Sequence, residues 1–159
     1  MVSYQLIDAA ATQAFGEAIG SKLAAGDLVV LSGPLGAGKT TLTQGIGAAL
    51  GVRGPVTSPT FVIARVHPSL RGGPALVHVD AYRLGGPVDI DDLDLDTPLA
   101  TAVVVVEWGE GKVEQLTSHR LEIRLDRMLG DASETRTVTL IGHGERGAAL
   151  AGSLANWRT

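Results

Sequence analysis

Apolar residues fall along this 159-residue chain in two patterns: short, nearly unbroken runs, and longer stretches spaced three and four apart. Unbroken runs of about five residues suit strands covered on both faces, and three-four spacing suits a helix with one buried stripe. By that rule Val2 to Ile7 predicts a first strand. Ala9 to Ala25 predicts a helix, its apolar stripe running through Phe15, Ala18, Ile19 and Leu23. Asp27 to Ser32 is the next strand and Lys39 to about Leu50 the next helix. Gly and Pro then cluster from Gly51 to Pro55 and from His67 to Pro74, marking turns on either side of a short strand, Phe61 to Val66. Ala75 to Val79 and Ala102 to Val106 are again continuous apolar runs. Arg120 to Leu125 alternates polar and apolar, and Thr135 to Ile141 is rich in β-formers, so these two predict half-exposed strands in an antiparallel hairpin. Gly144 to Trp157 predicts a terminal helix. Strands alternating with helices place the chain in the α/β class, with a central, mainly parallel (mixed) sheet flanked by helices. No internal repeat or linker divides it, so residues 1–159 are expected to form a single domain.

Between the second strand and the second helix stands Gly33-Pro34-Leu35-Gly36-Ala37-Gly38-Lys39-Thr40. It fits the G-x-x-x-x-G-K-[ST] pattern of a phosphate-binding P-loop, in the strand-then-helix setting that motif requires. The chemistry explains the residue types. The backbone must curl until several N–H groups face one anion, and glycine adopts the needed angles while leaving no side chain in the way. The helix opening at Lys39 aims its own N-terminal amides at the same phosphates. Lys39 then reaches the β- and γ-phosphates, and the Thr40 hydroxyl ligates Mg²⁺. The fold expected is therefore P-loop NTPase-like.

Composition narrows the picture. Aromatics are 4% of the chain, so the core must be built from Val, Leu, Ile and Ala. The absence of cysteine excludes disulfides, thiolate zinc sites and cysteine nucleophiles. The spacing of His67, His119 and His143 matches no metal motif. A net charge of −4 argues against tight nucleic-acid binding by the chain alone, because that affinity comes mostly from neutralising phosphates. No run of 18 or more apolar residues predicts a membrane span, and no leader pattern opens the chain, so a cytoplasmic location is expected.

Two acids close two of the apolar runs, Asp80 after Val79 and Glu107 after Val106. In open α/β sheets ligands bind beyond the carboxyl ends of the strands, where the P-loop also lies. Both carboxylates are thus placed to serve the phosphate site, one on the metal and one on the attacking water. Ordinary strand-end polarity is the alternative for each.

The P-loop, Ser58-Pro59-Thr60-Phe61, His78-Val79-Asp80-Ala81-Tyr82-Arg83-Leu84 and Glu107-Trp108-Gly109-Glu110 occur in this order. That succession, over about residues 8 to 125, resembles the TsaE (YjeE) family, the small ATPases of bacterial tRNA threonylcarbamoyladenosine synthesis. The resemblance implies that Gly36, Ala37, Gly38, Lys39, Thr40 and Thr41 bind the phosphates of ATP. Thr40 and Glu107 would ligate Mg²⁺, with Asp80 near the metal or its water; Lys39, Asp80 and Glu107 are the candidate catalytic set. It places Thr12 at the base end of the nucleotide and Trp108 close to it. It makes Ser58 to Phe61 a switch-like loop in which Thr60 senses the γ-phosphate or metal, and puts Tyr82 and Arg83 near the site and its partner surface. It implies TsaD-like and TsaB-like partners, with tRNA engaged only through their complex. Two departures stand out. Relatives often carry an acid at position 34 and a proline at 109, whereas this chain has Pro34 and Gly109, which is expected to leave the turn after Trp108 looser.

On the residues alone, Trp108 also reads as a core or rim aromatic, Thr12 as an exposed helix residue, His78 as a strand residue with a satisfied hydrogen bond and not a catalytic base, and Arg83 as either a finger in cis or a structural cation. Asp89 to Asp96 holds five aspartates in eight residues, either a solvated loop or acid-rich helix start, or a docking face for a basic partner. A small-molecule kinase on the same P-loop is the alternative function, though Arg83 is the lone arginine between the two acid-ended strands where such enzymes carry a lid. A sensor that binds ATP without turnover is the third.

Overall fold

The computed structural model describes residues 2–34, 36–56, 64–82, 96–127 and 134–158. Its strands are β1 (Val2–Leu6), β2 (Leu28–Ser32), β3 (Ala64–His67), β4 (Leu76–Asp80), β5 (Val103–Glu107), β6 (Arg120–Asp126) and β7 (Arg136–His143). The helices are α1 (Ala9–Gly20), α2 (Lys39–Leu50), α3 (Asp96–Thr101) and α4 (Gly144–Ser153). All seven strands join one sheet in the order β1-β7-β6-β2-β5-β4-β3. The four inner strands β6, β2, β5 and β4 run parallel, and the β6–β7, β7–β1 and β4–β3 pairs are antiparallel. The mixed sheet predicted from the apolar runs, and the hairpin of β6 with β7, are both present.

Strand alternation divides the core in two. Val29 and Leu31 of β2, with Val103 and Val105 of β5, enter a cluster with Phe15, Ile19, Leu42, Ile46, Leu150 and Leu154, so α1, α2 and α4 cover this face. Leu28, Val30, Val104 and Val106 point the other way, to Val77, Val79, Leu99 of α3 and Val113. Burial on both faces is why β2 and β5 are unbroken apolar runs. Tyr4, Phe15 and Trp157 form an aromatic corner, with Phe15 and Trp157 centroids 4.8 Å apart, and the Tyr4 hydroxyl donates to the Leu154 carbonyl.

α1 and α2 cross with almost no space between their backbones. A methyl on Gly16 would lie 2.2 Å from the Leu42 carbonyl oxygen, and one on Gly45 would lie 2.2 Å from that of Gln13. This contact carries the first turn of α1 up to the start of α2. At the far end of β2, Arg146 of α4 donates two bonds to the Asp27 carboxylate (2.9 and 2.8 Å), which also accepts from the Ala24 N–H.

Helix ends differ from the periodicity. α1 stops at Gly20, not Ala25, and turns through Lys22 and Leu23, whose N–H groups donate to Ile19 and Gly20. Leu23 stays buried after the helix has ended, so the apolar spacing runs past the true terminus. For the same reason α4 ends at Ser153, while Leu154 and Trp157 still pack inward through turns. α3 opens at Asp96, the last of the five aspartates read as a solvated loop, an acid-rich helix start or a docking face. Of the strand expected at Phe61 to Val66, the described part begins at Ala64.

Candidate functional site at the carboxyl edge of the sheet

The parallel strands β2, β4 and β5 end at one edge, and the P-loop leaves β2 there. Gly33 must be glycine on packing grounds, since a Cβ would sit 2.2 Å from the Leu125 carbonyl oxygen. Gly38 precedes α2 with φ of 104°, a left-handed backbone that glycine accepts without penalty. Lys39 opens the helix almost fully buried, and its ammonium donates to the carbonyls of Gly33 (2.7 Å) and Pro34 (3.1 Å). Its pKa is pushed below the usual lysine value by burial, against the charges of Glu107 and Asp80, which favour the ammonium. Thr40 and Thr41 are half-buried on the first turn.

Asp80 and Glu107 face each other directly in the β4–β5 register. Alternation fixes their side. Leu76, His78 and Asp80 of β4, and Val103, Val105 and Glu107 of β5, share the face that α2 covers. Glu107 is buried, and its Oε2 lies 2.6 Å from Nε2 of the fully buried His78. Asp80 is half-buried and accepts the Tyr82 N–H at 2.9 Å, which curls the chain after β4. The structure thus brings Lys39, Asp80 and Glu107 to one spot from separate parts of the chain.

Trp108 follows Glu107 with φ of 60°, a left-handed conformation that is rare and strained for a bulky residue. Its N–H still donates to Leu31, so the backbone turns only after the last sheet bond. The turn lays the indole over the Lys39 ammonium, 4.2 Å from the ring centre, and edge-on to Tyr82 at 5.3 Å. The turn is not loosened by Gly109. That residue is buried, its carbonyl accepts from Lys112 and Val113, and an added Cβ would lie 2.8 Å from a Val106 methyl. Lys112 ties the segment to the end of β4 by donating to the Ala81 carbonyl at 2.6 Å.

Thr12 is buried, not exposed: its hydroxyl donates to the Asp8 carbonyl at 3.2 Å. Its methyl would stand 3.6 Å from a Cβ on Gly38, so it packs behind the P-loop. Ser58 to Phe61, Arg83, Leu84 and Asp89 to Leu95, together with Leu35, lie outside the described residues. Among the described residues, no three His, Asp or Glu side chains gather as a metal site.

Two arginines at the loop had no sequence signal. Arg136 opens β7 and donates from Nε to the Ala37 carbonyl (3.2 Å) and from Nη2 to that of Gly36 (3.4 Å). Arg127, just beyond β6, brings Nη1 within 3.4 Å of where a Gly36 Cβ would be. Nothing in the spacing of the sequence links positions 100 residues apart.

A family model described as "Threonylcarbamoyl adenosine biosynthesis protein TsaE" matches residues 6–138. The chain belongs to the TsaE family. It is 67% identical to the tRNA threonylcarbamoyladenosine biosynthesis protein TsaE of Streptomyces coelicolor over 135 residues, 84% of this chain and 91% of that one. It is 40% identical to the protein of the same name from Bacillus subtilis, across 74% of this chain and 72% of that one. The crystal structure of Bacillus subtilis YdiB superposes with a TM-score of 0.77 at 30% identity, covering 97% of this chain and 93% of that one. The TsaE reading of the P-loop, H-x-D-x-Y-R-L and E-W motifs is thus borne out at the level of family and fold. No helix among the described residues is long and apolar enough to cross a membrane.

Proposed function

We propose that this TsaE-family chain is a Mg²⁺-dependent P-loop ATPase, weakly active alone, that supports the threonylcarbamoyl transferase complex in tRNA threonylcarbamoyladenosine synthesis. The observation that carries the reading is the meeting of Asp80 and Glu107, opposite each other in register, on the side of the sheet where Lys39 starts α2. Phosphate, metal and water each find a suitable group there. The family name supplies the pathway. TsaD-like and TsaB-like proteins are the proposed partners in the cytoplasm, and tRNA is engaged through them.

The residues fit Mg²⁺-ATP. Gly36 and Gly38, both at positive φ, shape a concave run of amides suited to phosphate oxygens. One hydroxyl (Thr40) and one carboxylate (Glu107) are the kind of sparse oxygen set that Mg²⁺ takes from protein beside phosphates and water. When bound, Mg²⁺ supplies Lewis-acid neutralisation of charge on the transferring phosphoryl group. Lys39 transfers its hydrogen bonds from the Gly33 and Pro34 carbonyls to phosphate oxygens, and Gly36, Ala37, Gly38, Thr40 and Thr41 contribute the loop and helix amides. Asp80, the more exposed acid, orients the attacking water, while Trp108 closes over Lys39 and keeps bulk water off it. Thr12 supports the loop from behind, towards the base end of the nucleotide. Slow turnover by the chain alone follows from the want of a complete water-positioning set among these groups.

The test is ATP hydrolysis by the purified chain with and without its TsaB–TsaD pair, using K39A as the blank. Marked stimulation by the pair is expected, with phosphate released to water and none passed to an acceptor. In the same assay E107A should lose turnover far more than nucleotide binding. Hydrolysis indifferent to the pair would break the partner reading, and phosphoryl transfer to a small molecule would put a kinase in its place.

A further inference from the structure

Buried on β4, His78 makes, among the described residues, one side-chain hydrogen bond, through Nε2 to Oε2 of Glu107 at 2.6 Å. Its other ring nitrogen, Nδ1, is buried with no partner among the described residues. The two facts together favour one tautomer. With the proton on Nδ1, a donor would be orphaned in the core, and two lone pairs would meet at Nε2 and Oε2. With the proton on Nε2, the imidazole donates to the carboxylate and leaves only an acceptor unmet, the milder of the two defects.

We infer that His78 is a positioning residue for Glu107, occupying Oε2 so that Oε1 is the carboxylate oxygen left for a metal. Given Glu107 as a magnesium ligand, the reading on which this assignment rests, the geometry has a clear consequence. With Oε2 accepting from His78, the carboxylate would serve Mg²⁺ best through its other oxygen alone, in keeping with the tight octahedral preference of that ion. A ligand acid at the end of a strand would otherwise turn freely about its last two bonds. The imidazole removes that freedom, and the register places it there, since His78 lies opposite Val105, two positions before the Asp80–Glu107 pair. Outer partners of this kind typically change metal affinity or activity by about 10- to 100-fold when removed.

Two measurements test the assignment. The first needs neither metal nor nucleotide: long-range proton–nitrogen correlation on ¹⁵N-histidine-labelled protein at about pH 8, where histidine is ordinarily neutral. The loss of one pattern in H78Q identifies the resonance. An Nε2–H tautomer is expected; an Nδ1–H tautomer, or averaging between the two, overturns the assignment. The second titrates Mg²⁺ against binding of a fluorescent ADP and against ATP hydrolysis. H78L should raise the Mg²⁺ requirement by about 10- to 100-fold. Nucleotide affinity without Mg²⁺ should be unchanged, and H78Q, which keeps a donor near the Nε2 position, should recover most of the loss. An unchanged Mg²⁺ requirement in a folded H78L overturns the proposal; if H78L does not fold, the tautomer and the H78Q titration decide it. E107Q separates the two levels. If E107Q also leaves the Mg²⁺ requirement unchanged, Glu107 itself has been misread, and the role of His78 falls with it.

Discussion

The Lys39 ammonium lies 4.2 Å from the centre of the Trp108 ring, and the two reach that point from different strands. Lys39 arrives at the start of α2, after β2, and Trp108 is thrown over it by a left-handed residue after β5. The contact joins the lysine that opens α2 to the segment that carries Glu107. A change at the P-loop must therefore be felt by the indole. On the proposed function, binding of ADP or ATP would draw Lys39 from the Gly33 and Pro34 carbonyls and alter the charge beneath the ring. Trp108 emission should shift on nucleotide binding, measured in W157F so that the distant aromatic corner adds no signal. A spectrum that stays the same at saturating nucleotide would show that the two do not move together.

The crossing of α1 and α2 predicts a stability effect with a functional echo. Alanine at Gly16 or Gly45 puts a methyl 2.2 Å from a backbone carbonyl oxygen, where no side chain can rotate away. Overpacking of this kind destabilises by about 1–3 kcal/mol. Urea unfolding should show the loss for G16A and G45A, and nucleotide affinity should fall as well, because the crossing seats Thr12 against the loop. Wild-type stability in G16A would mean that the helices sit further apart than described.

Much of this site was legible in the sequence, for a physical reason that also marks the limit. The P-loop is contiguous, so its strand, glycines and lysine were all in view together. Asp80 and Glu107 were readable because each ends an apolar run, and parallel strands end at a common edge. What the sequence could not supply was sheet order and side-chain direction. His78 looked like an ordinary strand residue until the register put it two places short of the Asp80–Glu107 pair. Gly16 and Gly45 look like poor helix formers until their contact with the facing backbone is known. Buried Leu23 misplaced the end of α1, since burial continues where hydrogen bonding stops.

Acid should weaken the fold through Glu122. Burial alone would raise its carboxyl pKa, but hydrogen bonds from His143 (2.9 Å) and Arg124 (2.9 Å), with the charge of Arg124, outweigh it and hold the value below 4.5. A carboxyl depressed in the folded state binds its proton more readily when unfolded. Its contribution is thus fully present above pH 4.5 and lost as pH falls through the folded-state value. Denaturant midpoints measured from pH 6 downward should fall more steeply in wild type than in E122Q over that acid window, where only the wild type has this proton to take up. Parallel curves would show that the three side chains are not coupled as the distances indicate.

Arg136 offers the sharpest division between loop shape and fold. Its bonds to the Ala37 and Gly36 carbonyls pin the backbone of the loop on which the proposed phosphate site is built. The bonds come from the first residue of β7, a strand that pairs antiparallel with β6. Removing them should disturb the loop while the sheet stays paired. At about 1 kcal/mol for such a bond, R136A should weaken ADP binding by roughly fivefold to tenfold. Its unfolding midpoint should move less than its affinity, since the bonds to Gly36 and Ala37 tie down the loop and not the core. Lysine at the same position keeps the charge but lacks the planar fork, so R136K should recover only part of the affinity. Titration of fluorescent ADP into the three proteins, with urea unfolding alongside, measures both effects. Equal losses of affinity and stability in R136A would make Arg136 a strut of the whole fold, and full recovery in R136K would leave only its charge to matter.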